Sequence, residues 1–347
     1  MNAATVAFEG TARRLGPTAL RGAGLIVGVG LLVLVALLSL RIGSIEISTR
    51  EVWRALFDYD SSSYNQTVVR SLRLPRTIIA IAVGGGLAVA GAVMQAVTRN
   101  PLAGPSILGL SSGAAFAIVT AIYLGSLTAA YQYVWFAFGG ALGAAGLVFL
   151  IGSAGRGGAT PVKLALAGAV LSALLGSWVT AVLLLDERTL DIVRFWLAGS
   201  VAGRDLDTFW MVSPFLVGGV AVCMFMGHQL NVLSLGEDTA RSLGMRTARM
   251  RIGSSVLVVL ITGAAVSAAG PIGFVGLAVP HMVRAFTGPD YRWILPYSLI
   301  AGAILLTGAD ILGRVVARPA EIQVGIVTAV VGAPVLVYLA RKRSLAN

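Results

Sequence analysis

The sequence predicts an all-α polytopic membrane protein with ten transmembrane helices, and three observations carry that reading. Of 347 residues, 57% are hydrophobic and only 12% are charged, about half the charge of a soluble chain of this length. Mean hydropathy is +0.87. The apolar residues gather in long runs, most of them near the roughly 20 residues that a bilayer crossing needs. The net charge of +11 would suit a nucleic-acid partner in a soluble protein. In a membrane protein Lys and Arg gather in cytoplasmic loops, so their location matters more than their sum. The partner expected is a lipid bilayer, with no nucleic acid.

Taken in order, the first apolar run is 24–40. It follows Arg13, Arg14 and Arg21 with no convincing small-residue cleavage site. It therefore reads as an uncleaved span behind a cytoplasmic arm, 1–23. Further spans are expected at 77–97, 107–124, 134–152, 162–185, 208–230, 252–270, 272–286, 293–316 and 324–340. A single helix over 252–286 would be about 52 Å long, against a hydrocarbon core of about 30 Å. Gly270-Pro271-Ile272-Gly273 supplies the break. The even count places both termini on one side.

Two segments between spans are long. Residues 41–76 are amphipathic, with Trp53, Leu56 and Phe57 among charges, as in a helix lying along a membrane surface. Residues 186–207 carry a short apolar island, Phe195-Trp196-Leu197, and read as a re-entrant or surface helix. Gly84-Gly85-Gly86, Ala90, Gly91 and Gln95 form a small-residue face of the kind that lets helices approach closely in lipid. With the N-terminus inside, the inner segments hold 15 of the 26 basic residues and 4 of the 15 acids. Arg341-Lys342-Arg343 is the clearest inside marker.

The chain shows no constellation for chemistry. Its two lysines, Lys163 and Lys342, end no phosphate-binding loop. His228 and His281 stand apart from Cys or carboxylate at ligand spacing. Cys223 sits in an apolar run, where it reads as a small buried side chain. No catalytic residue, metal or cofactor is expected. Asp310 is the main carboxylate within a span. An intramembrane acid can relay protons, but Arg314 follows four residues later, which favours a local ion pair.

A polar island runs from Leu233 to Arg251. Ser234 and Glu237 have capping-box spacing, and Gly244 stands where a left-handed cap would end a helix of roughly nine residues. Glu237 and Asp238 in the first turn and Arg241 near the last suit the helix dipole. Two readings fit: a capped loop helix at the membrane surface, or a docking helix that a soluble partner pushes. In the fifth span Ser172, Gly176, Ser177 and Thr180 make a polar face, for interhelical hydrogen bonds or for a pore.

Several stretches in this order resemble one family. Leu72-Arg73-Leu74-Pro75-Arg76-Thr77 opens the second span and Gly91-Ala92-Val93-Met94-Gln95 closes it. Asn100-Pro101-Leu102-Ala103 and Pro105-Ser106-Ile107-Leu108-Gly109 follow. Gly236-Glu237, Ala240 and Leu243-Gly244 mark the polar island. Then come Gly270 to Leu277, Val279-Pro280-His281, Gly325 to Ala329, and Gly332 to Val335. From about 24 to 343 the chain is similar to FecCD-type permeases, the membrane subunits of bacterial ABC importers for iron–siderophores, haem and cobalamin.

The resemblance implies a type II ABC importer permease in the bacterial inner membrane, paired with a second permease, homo- or heterodimeric. Two cytoplasmic ATPases would bind ATP and Mg, and an extracytoplasmic substrate-binding protein would dock outside. It implies that 234–244 is the ATPase-coupling helix, with Ser234, Gly236, Glu237, Asp238, Ala240, Arg241, Leu243 and Gly244 in that role. It implies docking of the binding protein at Arg73, Arg76 and Arg314, and an inner gate near Asn100, Leu102 and Thr160. Iron–siderophore is the expected cargo, with haem and cobalamin as alternatives. A proton-driven secondary transporter and a non-transporting scaffold are the rival classes.

Overall fold

The computed structural model describes residues 17–125, 130–154 and 160–344; Arg13, Arg14 and Arg156 of the charge argument lie outside them. Helices account for all the regular structure among the described residues. In chain order they are α1 (Pro17–Arg41), α2 (Thr49–Phe57), α3 (Tyr64–Val68), α4 (Leu74–Thr98), α5 (Leu110–Tyr123), α6 (Ala130–Ser153), α7 (Pro161–Leu185), α8 (Glu187–Leu197), α9 (Leu206–Phe225), α10 (Gly227–Ser234), α11 (Glu237–Ser242), α12 (Thr247–Ala269), α13 (Val275–Thr287), α14 (Tyr291–Val316) and α15 (Val324–Ser344). A π turn, Val69–Arg73, joins α3 to α4, and a 3-10 turn, Pro105–Leu108, precedes α5.

Helix α4 is the axis of the bundle. It packs against α14, α12, α13 and α9, and 83% of its apolar window is buried, against 11% for α1 at the periphery. Its glycines make this possible. A Cβ on Gly84 would strike the Gly302 carbonyl of α14, and one on Gly91 would strike the Gly276 backbone of α13. Gly113 of α5 and Gly140 of α6 meet backbone to backbone in the same way. Lipid gives apolar helices no hydrophobic reason to associate, so close backbone contact supplies dispersion energy instead.

Seven helical segments among the described residues are long and apolar enough to cross a membrane, and Leu110–Tyr123 and Val324–Pro334 are shorter apolar helices. The break expected at 270–273 is present: α12 ends before Gly270, whose φ of +74° turns the chain. The span expected at 208–230 is instead α9 followed by α10, with a break at Met226. Gly227 lies directly against the Arg292 backbone at the start of α14, where a Cβ would be crowded.

The surface helices have readable causes. Ser48 caps α2, its Oγ accepting from Glu51 N at 3.3 Å. Val52 and Ala55 turn inward while Trp53 and Phe57 stack on each other, exposed. Asp186 caps α8 by accepting from Thr189 N at 2.9 Å, and Trp196 anchors it in the core.

Candidate functional site

One end of the bundle carries the polar island. Helix α11 has six residues rather than nine, and the capping box is not formed. Ser234 belongs to the last turn of α10, where its Oγ donates to Asn231 O at 2.7 Å. Gly236, at φ +114°, breaks the chain between the two helices. The Glu237 carboxylate therefore reaches forward. It pairs with Arg241 at 2.6 Å and with Arg251 of α12 at 3.0 Å. The Arg251 hydrogen bond, with the charges of Arg251, Arg241 and Arg99, holds its carboxyl below the ordinary range. Gly244, at φ +83°, closes α11: its N–H donates to Arg241 O at 2.9 Å, and Met245 N donates to Ala240 O at 2.9 Å.

The exposure pattern redefines which face of α11 is free. Ala240 is fully buried against its own chain, whereas Leu235 and Leu243 are about two-thirds exposed, at 63% and 62%. Asp238, Thr239, Arg241 and Ser242 are exposed as well. The free surface is thus Leu235, Asp238, Thr239, Ser242 and Leu243, and Ala240 is excluded from it because it seats the helix.

Side chains not singled out by the sequence reading brace this end. Asn231 donates to Asp290 at 2.6 Å and accepts from Tyr291 N at 2.8 Å. Hydrogen bonds from Arg292, with Asn231 adding to them, hold the Asp290 carboxyl far below its ordinary value. An asparagine inside HQLNVLS gives no local sign of this use. Asn100 accepts from Leu102 N at 2.9 Å, which leaves Leu102 half exposed. Thr160 caps α7, accepting from Lys163 N at 3.3 Å.

Helix α7 leaves a long face open; only 22% of its apolar window is buried. Ser177 and Thr180 are exposed but donate to Ala173 O and Gly176 O of their own helix, each at 2.9 Å. A Cβ on Gly176 would meet open space, while Ser172 turns toward Gly109 at the start of α5. Ala169, Ala173, Gly176, Ser177 and Thr180 fall on one helical stripe, with bulky Leu166 at its N-terminal end and Val170 and Leu174 beside it.

The other end holds a knot of arginines. Arg73 donates to Leu40 O at 2.9 Å, to Arg41 O at 2.6 Å, and to Ile45 O. Arg314 donates to Ser39 O at 2.9 Å, Ile42 O at 2.8 Å and Ser39 Oγ at 2.8 Å, and pairs with Asp310 at 3.2 Å. Arg76 forks onto Asp310 at 2.8 to 3.0 Å and reaches Glu321 at 2.8 Å. Arg73 and Arg314 are therefore buried, at 6% and 2% exposure, where a surface display was expected. The cause is the end of α1, whose last carbonyls have no partner within their own helix and take guanidinium donors instead. Asp310 accepts from two arginines, which removes the candidate proton relay. Arg76 remains at the edge of a cavity of about 650 Å³, together with Arg204, Glu321, Trp196 and Tyr133.

Residues 31–342 match the FecCD transport family. The chain belongs to that family. It is 42% identical over 295 residues to the probable siderophore transport system permease YfiZ of Bacillus subtilis, covering 85% of this chain and 88% of that protein. It is 42% identical to the ferric enterobactin permease FepD of Escherichia coli, covering 90% and 93%. A solved metal-chelate type ABC transporter in an inward-facing conformation superposes with a TM-score of 0.81 at 31% identity, covering 92% of this chain and 99% of that one. This FecCD-family chain is thus a bacterial inner-membrane transport permease and not an enzyme, and the ATPase of such systems is a separate subunit.

Proposed function

We propose that this permease carries iron(III)–siderophore chelates inward as part of an ATP-driven importer. The observation that carries the reading is the agreement among relatives. The siderophore, enterobactin, iron(3+)-hydroxamate and Fe(3+)-citrate permeases are 42–44% identical over 85–92% of this chain, whereas the hemin permease HmuU of Yersinia pestis is 35% identical over 89%.

Two copies of a permease, or two related ones, enclose the pathway, with the small-and-polar stripe of α7 facing it. Gly176, Ser177 and Thr180 suit a wall that grips a large chelate weakly, because Gly176 offers no side chain and the Ser177 and Thr180 hydroxyls already serve their own helix. Ser172 packs behind that wall. Asn100, Leu102 and Thr160 form the inner gate. Residues 234–244 couple to the ATPase, which binds ATP and Mg. Glu237, Arg241, Gly236 and Gly244 shape the helix, while Leu235, Asp238 and Leu243 make the contact. The binding protein docks at the opposite end, where Arg76 faces the cavity and Arg73 and Arg314 hold its frame. Ten spans, with both termini in the cytoplasm, complete the arrangement.

The test is uptake of iron-55 chelates by iron-starved cells carrying this permease with its ATPase and binding protein. ATP-dependent uptake of ferric enterobactin, ferric hydroxamate or ferric citrate is expected. Uptake confined to haem or cobalamin, or uptake without ATP, overturns the reading.

A further inference from the structure

A groove of about 730 Å³ lies between the last turns of α6, the first turn of α7 and the start of α12. Its walls are apolar: Gly146, Phe149, Leu150, Leu164, Ile252 and Val256, with only Ser153 and Arg251 polar. Leu150, Ile252 and Val256 are half or more exposed, at 70%, 61% and 50%, so the described chain leaves them uncovered. Arg251 sits about one turn into α12, at the basic end of a helix long and apolar enough to cross a membrane.

The charge at this groove is unbalanced. One Arg251 nitrogen, Nη2, reaches Glu237 at 3.0 Å, while its Nε is buried with no hydrogen-bond partner. Glu237 also serves Arg241 at 2.6 Å and lies within the field of Arg99. The adjacent Asp238 is exposed and makes no ion pair among the described residues. Arg251 is thus the one charged residue lining the groove, and it shares its only ion-pair partner, Glu237, with Arg241. The complement is an amphiphile with an anionic head and a hydrocarbon tail, and basic clefts between spans at a membrane surface are known lipid-head-group sites.

We infer that this groove binds an anionic phospholipid of the surrounding bilayer, whose acyl chain covers the apolar wall and whose phosphate competes with Glu237 for Arg251. The inference stands on the membrane-embedded fold alone and is independent of the cargo. Occupancy loosens the only ion pair between α11 and α12 among the described residues, so lipid composition reaches the polar island through Glu237.

The full-length permease is reconstituted in vesicles of phosphatidylethanolamine, or of phosphatidylethanolamine and phosphatidylglycerol in equimolar amounts. It is then extracted in mild detergent, and retained lipid is read by native mass spectrometry. Wild type should keep phosphatidylglycerol in preference to phosphatidylethanolamine. Arg251→Gln should lower that retention about tenfold, the loss of one charge-assisted hydrogen bond. Gly146→Trp, whose side chain enters open space, should lower it with every charge in place, and Val256→Trp should do so from the opposite wall. Glu237→Gln, which frees Arg251, should raise it. Equal retention of the two lipids by wild type overturns the inference, as does wild-type retention in Arg251→Gln and the two tryptophan variants. If the tryptophan variants leave lipid retention unchanged but break pairing of permease copies, the groove is a protein interface and the inference falls.

Discussion

At Gly91 the chain tolerates no side chain at all, because the backbone of Gly276 occupies the place of the missing Cβ. A backbone cannot swing aside as a side-chain tip can, so Gly91→Ala must push α4 and α13 apart. The expected cost is about 1–3 kcal/mol, read as a lower thermal unfolding temperature in detergent. Gly176→Ala is the matched control. Its Cβ would meet nothing, and because Ala is the better helix former its unfolding temperature should be no lower than that of wild type. Arg314 makes a second case at this scale. Its planar fork serves Ser39 O, Ile42 O and Ser39 Oγ at once, a geometry that an ammonium does not reproduce. Arg314→Lys should therefore cost about 1–3 kcal/mol despite keeping its charge; an unchanged melt would show that the carbonyl contacts contribute nothing. The residue types at both positions were visible in the sequence, but their partners were not. Gly91 could be read as a packing glycine because small residues cluster around it. Arg73 and Arg314 read as surface charges because nothing near them in sequence announces unpaired carbonyls at the end of a helix 30 or more residues away.

Helix α11 is too short to stand on its own, and its position rests on Glu237, Ala240 and Gly244. The Gly244 cap was legible from one residue. The start of the helix was not, since Ser234 had two neighbours to serve and the turn at Gly236 gave it to α10. The Glu237 carboxyl is held below its ordinary value of 4.5 by Arg251 and its neighbours. Its contribution to holding α11 is therefore fully present above that value and is lost as pH falls through the lower folded value. A nitroxide on Ser242→Cys, in a Cys223→Ser background, should sharpen into a mobile spectrum on acidification below pH 4.5. In Glu237→Gln the spectrum should be mobile already at neutral pH. A spectrum insensitive to both changes would mean that packing of Ala240 alone seats the helix. Substitutions on the two faces should separate as well. Leu243→Glu should weaken ATPase association while leaving the permease intact, whereas Ala240→Trp should unseat α11 itself, seen as a mobile probe at Ser242.

The seven long apolar helices among the described residues were legible in order, because apolar runs, Gly-Pro breaks and basic ends are local signals. The central place of α4 was legible only in part. Its glycines announced close packing but named no partner, and Gly276 and Gly302 are far from it in sequence. The split of α9 from α10 was hidden because the apolar run continues through Met226. The geometry places Asn231 beside Asp290 at the start of α14 and Arg76 beside Glu321 and Asp310 toward its end, so the polar island and the arginine knot lie at separate ends of the bundle. Charge predicts which end faces the cytoplasm. By the predicted spans, 15 basic and 4 acidic residues lie on the side of Ser234, against 11 and 11 on the other, and the basic excess belongs inside. Single cysteines at Ser234, Arg292 and Glu321, in the Cys223→Ser background, test this with an impermeant thiol reagent on intact cells. All three positions are exposed, and the background is silent because Cys223, the single cysteine of the chain, has been replaced. Only the cysteine at 321 should react from outside, and all three should react once the membrane is opened. Reaction at 234 and 292 but not at 321 would invert the molecule, turn α11 away from any cytoplasmic ATPase and end the coupling role of 234–244.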